Sequence, residues 1–272
     1  EYDRAGNQTK RWRDDNGQFT ESQTRVYNGF AQLVGVNQYG TQLTYRYRPD
    51  GMRHSKASTD YGVTYTTIHH WDGQNMVMEA NGATGAPKGR YLRGTNLLAQ
   101  EIDGAKDYYT FNAKGDVIQR IRDKGDAAPR YDYDAFGNEL TYNTDPNPFR
   151  YCGEYWDDET NLIYLRARYY DSKTGRFISE DPARSGNNWY AYCGNCPTMY
   201  SDPMGLKAVS NRKDIGMADP PMDFLKWQPR KPAPAKPAAV DPSKWQLTSD
   251  RFKNPIFIPF AKTPGIPQHS SN

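Results

Sequence analysis

The sequence predicts an all-β fold, and three observations lead to this prediction. The chain of 272 residues contains 21 Tyr and 23 Gly, whereas only 36% of its residues are hydrophobic. Tyrosine favours strands and suits a half-exposed surface, because its ring is apolar and its hydroxyl group is polar. Aromatic residues recur at a fixed distance before a glycine, and no long segment shows the apolar period of a helix. A thin β structure fits this composition better than a thick globular core.

The recurring unit, aromatic-x-x-x-Gly, predicts a series of β-hairpins. Copies begin at Tyr2, Tyr47, Phe111 and Tyr133, with a degenerate copy at Trp71, and the gaps are close to multiples of about 22 residues. In the four full copies the glycine stands beside Asp or Asn, and it can supply the positive φ that a tight turn needs. Because one hairpin is only marginally stable, we expect the units to stack into a continuous curved sheet, wound like a ribbon.

Alternation of residue types predicts the strands on either side of these turns. Apolar and polar residues alternate in segment 43–47, which is typical of a strand with one buried face. Segments 62–68 and 117–121 are rich in β-branched residues and are predicted to be return strands.

Residues 147–206 contain more aromatic residues and more turn signals. Segment 161–170 is predicted to be one strand, and 176–180 its return strand after a turn at 171–175, with the hairpin centred near Lys173. In a single strand, alternate side chains point to opposite faces. This interpretation places on one face the residues Tyr164, Arg166, Arg168 and Tyr170, and on the other Ile163, Leu165, Ala167 and Tyr169.

The C-terminal segment 207–272 differs sharply from the rest. It contains 11 of the 19 prolines, and its 11 Lys and Arg exceed its 5 Asp, whereas residues 1–206 have 24 Lys and Arg against 27 Asp and Glu. Segment 230–237 is predicted to be extended and polyproline-like. The apolar segments 224–227 and 255–260 are expected to anchor against another surface. We favour this interpretation over nucleic-acid binding in which Trp227 and Trp245 stack on bases.

Several other classes are excluded or disfavoured. No run of 18 apolar residues exists, so no membrane-spanning helix is expected. Cys193 and Cys196 lack a second Cys pair, and His69 and His70 point to opposite faces of a strand, so neither metal nor cofactor is expected. The two cysteines are expected to be buried thiols, with a local disulfide as the alternative. The opening Glu1 and the lack of a signal peptide indicate a fragment of something longer.

The order of the motifs carries a family resemblance. The repeats are followed by FRYCGEY at 149–155, ETNLIYLRARYYD at 159–171 and GRFISEDP at 175–182, then by NWYAY at 188–192 and DPMGL at 202–206. This succession closely resembles the Rhs repeat-associated core domain preceded by YD (Rhs) repeats. Proteins of this family are polymorphic toxins and the cocoon subunits of Tc insecticidal toxins. The resemblance covers roughly residues 1–206.

The resemblance implies a β-ribbon that spirals into a hollow shell, closed at one end by the core domain. It implies three domains: repeats at 1–146, a core domain at 147–206, and a variable tail at 207–272. The tail would be cargo, released by aspartic self-cleavage between Leu206 and Lys207. Export to a secreted or cell-surface location is expected, with the secretion apparatus or other shell subunits, including like copies, as further partners.

Asp181 and Asp202 form the candidate catalytic pair. Each precedes a proline, and the composition changes after Leu206, which suggests a site where the chain cuts itself. Two carboxyl groups that share a proton differ in pKa, so one activates water while the other donates a proton. By its place in the family motif, Arg168 is the expected essential arginine, with Arg166 as a second candidate.

Other interpretations remain open at this point. Asp-Pro is a common turn starter, so both aspartates have a structural explanation, and Arg168 has one if it stacks on Tyr164 or Tyr170. Where the family usually has Gly-Leu soon after the first Asp-Pro, this chain has Ala183. If these three residues are only structural, the chain would be a non-catalytic filament or cell-surface protein whose tail mediates subunit assembly, or a carbohydrate-binding wall protein.

Overall fold

The computed structural model describes residues 1–141 and 145–211, together with two short strands at 245–246 and 258–259. The chain forms two compact units, Glu1–Lys226 and Trp227–Asn272. In the second unit, Trp245–Gln246 pairs antiparallel with Ile258–Pro259. The predicted anchor 224–227 and the predicted polyproline segment 230–237 lie outside the described residues.

The first unit is built on one long antiparallel sheet, which confirms the all-β prediction. Its eleven strands neighbour one another in chain order, and within the described residues β1 and β11 each have one neighbour, so the sheet is open at both ends. The strands are β1 (Lys10–Asp15), β2 (Gln18–Tyr27), β3 (Leu33–Gln38), β4 (Thr41–Tyr47), β5 (Arg53–Asp60), β6 (Val63–Asp72), β7 (Asn75–Asn81), β8 (Pro87–Arg93), β9 (Leu97–Ile102), β10 (Ala105–Phe111) and β11 (Val117–Arg122).

The turns follow the predicted chemistry. The glycines that end the repeat motif have positive φ, as at Gly51 (85°) and Gly115 (96°). In several of these turns one side chain bridges the turn: Asp3 Oδ1 accepts the amides of Ala5 and Asn7 at 2.9 and 2.8 Å. Equivalent bridges form at Asn112, at Asp134 and at Asn28. The sequence motif does not reveal the copy at Asn28, because its glycine is Gly29 and the positive φ of 58° falls on Ala31 instead.

The leading side chain of each repeat ties successive hairpins together. The register shifts near the end of β2, β4, β6, β8 and β10, where this side chain is found. In most repeats it donates to a backbone carbonyl of the preceding repeat. The pairs are Tyr27 to Gln8, Tyr47 to Leu33, Trp71 to Arg53 and Tyr133 to Val117, and Arg93, which stands in place of the aromatic residue at the end of β8, donates to Met76, all at 2.7–3.1 Å.

A second sheet of four strands packs against the first. It consists of β12 (Tyr155–Asp157), β13 (Leu162–Leu165), β14 (Arg168–Asp171) and β15 (Arg176–Phe177), in that order. The main core joins residues of both sheets, such as Leu43 and Tyr45 from β4 with Tyr164 and Tyr169 from the smaller sheet. Tyrosine is common in this core, in line with the composition.

The prediction of one strand over 161–170 was wrong. The segment is itself a hairpin, in which Leu165 pairs with Arg168 across a tight turn at Arg166 and Ala167. Arg166 has a φ of +55° there. The predicted faces are therefore wrong as well, because the turn brings Arg168 onto the face of Leu165. All residues of β13 and β14 are buried, so no polar face marked the break in the alternation. The following hairpin is confirmed, since Tyr170 pairs with Phe177, but its return strand is Arg176–Phe177 and shorter than the predicted 176–180.

A last hairpin spans the predicted cleavage site. Strand β16 (Tyr200–Ser201) pairs with β17 (Val209–Ser210), and the loop between them contains Leu206 and Lys207. Among the described residues, no helix has the length and apolar character needed to cross a membrane.

Candidate active site

The structure brings the three predicted site residues together. Arg168 begins β14, Asp181 follows β15, and Asp202 follows β16. The Nη2 atom of Arg168 lies 4.0 Å from Asp181 Oδ1 and 3.8 Å from Asp202 Oδ2. All three residues are buried, with exposed fractions of 5%, 6% and 3%. Two acidic side chains from distant segments thus share one guanidinium nitrogen.

Asp202 binds the backbone around the predicted cleavage site. Its Oδ1 atom accepts the amides of Leu206 and Lys207, each at 3.0 Å. The turn that permits this closes with the Gly205 amide donating to the Asp202 carbonyl at 3.2 Å, and Gly205 has a φ of +64°. Burial raises the pKa of Asp202, although its backbone hydrogen bonds and the charge of Arg168 oppose the change. The protonated form of Asp202 is therefore favoured relative to an exposed aspartate.

Asp181 is held by its own loop. Its Oδ1 atom accepts the Ala183 amide at 3.0 Å and its Oδ2 atom accepts the Ser185 amide at 3.2 Å. The Asp181 amide donates to the Trp189 carbonyl at 3.0 Å. Ala183, which departs from the family pattern, is thus compatible with a well-bonded turn. Its side chain is not part of these hydrogen bonds, which use only its backbone.

Arg168 connects the two loops that carry the aspartates. Its Nη1 atom donates to the Trp189 carbonyl at 2.9 Å, and its Nε atom donates to the Gly205 carbonyl. Its guanidinium carbon lies 3.6 Å from the centre of the Phe177 ring, so the stacking partner is Phe177 rather than Tyr164 or Tyr170. Burial lowers the pKa of Arg168, while Asp181 and Asp202 oppose the change.

The site holds one positive charge and two acidic groups. One buried arginine lies close to two buried aspartates, so ionising both carboxyl groups leaves a net negative charge in a desolvated place. Burial raises the pKa of Asp202, which favours the protonated form of this carboxyl group. Such an arrangement can present one ionised and one protonated carboxyl group at the same time.

Arg166 does not take the place of Arg168. Its Nη1 atom forms an ion pair with Glu154 and donates to the Pro203 carbonyl at 2.5 Å. Its Nε and Nη2 atoms donate to the Gln74 carbonyl at 3.1 and 3.0 Å. Sequence reasoning treated Arg166 only as a substitute for Arg168. Because 161–170 was predicted to be one strand, the separate contacts of Arg166 were not predicted.

The cysteines of the described residues are free thiols, and Cys193 is close enough to Asp202 to feel its charge. Cys193 is buried, which raises its pKa to about 12. The prediction of a buried thiol is confirmed for Cys193, whereas Cys196 is only partly buried.

Comparisons with known proteins found a nuclease and a toxin that are similar to this chain over part of their length. No protein-family model matches it. It is 33% identical over 218 residues to the tRNA3(Ser)-specific nuclease WapA of Bacillus spizizenii, which covers 75% of this chain and 9% of WapA. It is 30% identical over 244 residues to double-stranded DNA deaminase toxin A of Burkholderia cenocepacia, covering 76% of this chain and 17% of that toxin.

The fold has solved counterparts. The crystal structure of TcdB2-TccC3 matches with a TM-score of 0.56 and 22% identity, over 68% of this chain and 10% of that chain. The chain therefore spans less than a fifth of the length of these relatives. The relatives are consistent with the Rhs-type toxins that the motifs resemble, and the fold is similar to part of TcdB2-TccC3.

Proposed function

We propose that this chain is the C-terminal part of an Rhs-type toxin or shell protein and that it cuts itself between Leu206 and Lys207. In this proposal residues 1–146 are the repeat sheet, 147–206 the core domain with the protease, and 207–272 the variable tail. The similarity to a nuclease and to a deaminase toxin supports the toxin part of the proposal.

One observation carries the catalytic part. Asp181 and Asp202 both approach Arg168 Nη2, and Asp202 also accepts the amide hydrogen of Lys207 at 3.0 Å. That amide belongs to the peptide bond proposed to be cut. One carboxyl group of the pair therefore already touches the nitrogen that would leave.

The proposed reaction is hydrolysis with two carboxyl groups in separate roles. Asp181, ionised, takes a proton from a water molecule, whose oxygen adds to the carbonyl carbon of Leu206. Asp202, protonated, gives its proton to the nitrogen of Lys207 as the carbon–nitrogen bond breaks. The products are a carboxyl group on Leu206 and an amine on Lys207. The raised pKa of Asp202 suits the role of acid.

Arg168 orients the reacting groups in this scheme. Its hydrogen bond to the Gly205 carbonyl holds the chain just before the bond that is cut. Its charge near both carboxyl groups stabilises the ionised form of one of them. Positioning of this kind accounts for a large part of the rate in reactions within one molecule.

Mass analysis of the expressed chain tests the proposal. The wild-type chain should give two fragments, one ending at Leu206 and one beginning at Lys207. Asp202→Asn and Asp181→Asn should each leave the chain whole, because an amide neither donates an acidic proton nor accepts one from water. Asp158→Asn serves as the matched control, since Asp158 is exposed, and it should be cut like the wild type. A wild-type chain that stays whole contradicts the catalytic proposal.

The fate of the tail is a second part of this proposal. Residues 207–272 would be the cargo of a longer shell protein exported to a secreted or cell-surface location. Secretion components or other shell subunits would then be its partners. Protection of the tail from added protease in the assembled parent protein would support this, and rapid digestion there would contradict it.

A non-catalytic shell or filament protein is the second candidate. It is favoured by the amides that Asp181 and Asp202 accept from their own turns, as turn-forming aspartates do. In that case the wild-type chain is not cut, and Asp202→Asn should only lower its stability. The same mass measurement decides between the two candidates.

A further inference from the structure

We propose that residues 166–168 form a carbonyl clamp, in which three consecutive residues hold the carbonyl groups of residues 203–205. This inference rests on the proposed self-cleavage and adds to it a specificity device. The clamp would fix which peptide bond reaches Asp202, and Arg166 would be its positioning residue.

The hydrogen bonds run in register along the two segments. Arg166 Nη1 donates to the Pro203 carbonyl at 2.5 Å, and the Ala167 amide donates to the Met204 carbonyl at 3.2 Å. Arg168 Nε donates to the Gly205 carbonyl. Each residue of the clamp therefore supplies one donor to one carbonyl, and the next residues along the held chain are those of the proposed cleavage site.

Arg166 is itself held from three directions. Besides Pro203, its guanidinium binds the carboxylate of Glu154 and the carbonyl of Gln74. The residue is only 9% exposed. A planar guanidinium has five donors in a fixed arrangement, so it can satisfy these partners together, whereas an ammonium group on a flexible chain cannot match their geometry. Arg166 thus joins the large sheet, through Gln74, to the segment that is cut.

Gly205 explains how such a clamp would reject other registers. A Cβ atom at this position would lie 2.6 Å from the Leu165 carbonyl oxygen and 3.0 Å from the Arg168 amide nitrogen. If the chain slipped by one residue, the side chain of Met204 or Leu206 would occupy this space. The hydrogen bonds to the carbonyls of 203–205 do not depend on the side chains of these residues. The register is therefore selected by the tight fit at Gly205.

The consequence is a fixed alignment of the cleavage site. With residues 203–205 held, Leu206 and Lys207 follow, and both their amides reach Asp202 Oδ1. Loosening the clamp at Arg166 frees the first of the three carbonyls and lets the segment shift. A displacement of about 1 Å costs on the order of 100-fold in rate when a reaction depends on alignment.

Cell-free synthesis of the full chain allows the cleavage to be followed in time. Arg166→Met should slow cleavage by about 100-fold, and Arg166→Lys should restore part of the rate, with about 10-fold slowing. Arg176→Met is the matched control, because Arg176 is exposed in the same domain, and it should cut at the wild-type rate. Equal rates for Arg166→Met and Arg176→Met would overturn the clamp.

Hydrogen exchange in an uncut chain tests the clamp independently of cleavage. In the Asp181→Asn chain, adding Arg166→Met should speed amide exchange at residues 204–207, and adding Arg176→Met should not. Unchanged exchange overturns the clamp, even if the wild type is cut. A wild-type chain that is never cut contradicts the proposed function instead, while the exchange result still decides whether the clamp exists.

A second variant separates loss of the clamp from a failure to fold. Arg166→Met leaves Glu154 buried without its partner, which destabilises a protein. If that variant fails to fold, Glu154→Gln with Arg166→Met removes the unpaired charge and is measured in its place. The clamp would be overturned by a folded double variant that is cut at the wild-type rate and, in the Asp181→Asn chain, exchanges its amides no faster than that chain alone. Slower cleavage with faster exchange would support the clamp.

Discussion

Gly205→Ala is the substitution whose effect can be worked out most fully from the structure. Gly205 has a φ of +64°, and an added Cβ atom would lie 2.6 Å from the Leu165 carbonyl oxygen, where 3.4 Å begins ordinary contact. The carbonyl that Arg168 holds belongs to this same residue. The substitution therefore disturbs the local backbone and the alignment of the cleavage site together.

Two costs can be separated. A non-glycine residue in the left-handed region costs about 1–2 kcal/mol. The clash is additional, because both neighbours are backbone atoms, Leu165 O and Arg168 N, which cannot rotate away. Relieving it requires a shift approaching ~1 Å, so we expect cleavage to slow by about 100-fold.

Gly104→Ala is the matched control for the backbone cost. Gly104, in the turn between β9 and β10, has a φ of +78° with nothing within 4 Å of its added Cβ atom, so it has the conformational cost without the clash. Cleavage is measured as the loss of full-length chain during cell-free synthesis, and stability by urea unfolding of the uncut Asp181→Asn forms. Gly104→Ala should lose stability but keep the wild-type rate of cleavage. If Gly205→Ala is cut as fast as Gly104→Ala, the reasoning about the tight fit is refuted.

Three further outcomes are expected. Because burial raises the pKa of Asp202 and its proposed role needs the proton, the cleavage rate should fall as pH rises through that raised pKa; a rate that increases there would contradict the role. Arg53→Met should lower the free energy of unfolding by about 3 kcal/mol, because the buried Asp157 loses one of its two ion-pair partners and keeps Lys56. Adding Asp157→Leu should recover part of this loss in urea titrations, and no recovery would argue against the ion pair as its cause. After cleavage the tail should co-elute with the body in size-exclusion chromatography until urea is added, because Tyr200–Ser201 pairs with Val209–Ser210 across the cut; separation without denaturant would show that this pairing is too weak.

Much of the large sheet could be predicted from local sequence. The glycines at 51 and 115 marked turns because a positive φ is a property of a few neighbouring residues. The predicted strand 43–47 and the return strand 117–121 both lie within observed strands. The repeat at Asn28 was missed because Ala31 takes the conformation that glycine takes elsewhere, which residue type does not reveal.

The smaller sheet was harder to predict for a physical reason. Its strands β13 and β14 are buried on both faces, so hydrophobic alternation gave no sign of the turn at Arg166 and Ala167. An error of this kind changes which side chains share a face. It assigned Arg166 and Arg168 to one face of a strand, whereas Arg166 lies in the turn and binds the Pro203 carbonyl, and Arg168 begins β14 and binds the Gly205 carbonyl.

The amino-acid sequence alone determined the hairpin chemistry, the order of the motifs and the choice of Asp181, Asp202 and Arg168 as candidate residues. The hairpin chemistry depends on residue type and on contacts within a few positions of the chain, whereas the candidate residues followed from the order of the motifs and the family resemblance. Only the tertiary structure decided that both carboxyl groups meet at one nitrogen of Arg168, and that residues 166–168 hold the carbonyls of 203–205. Such contacts join distant segments, so they depend on how the two sheets pack rather than on any local preference.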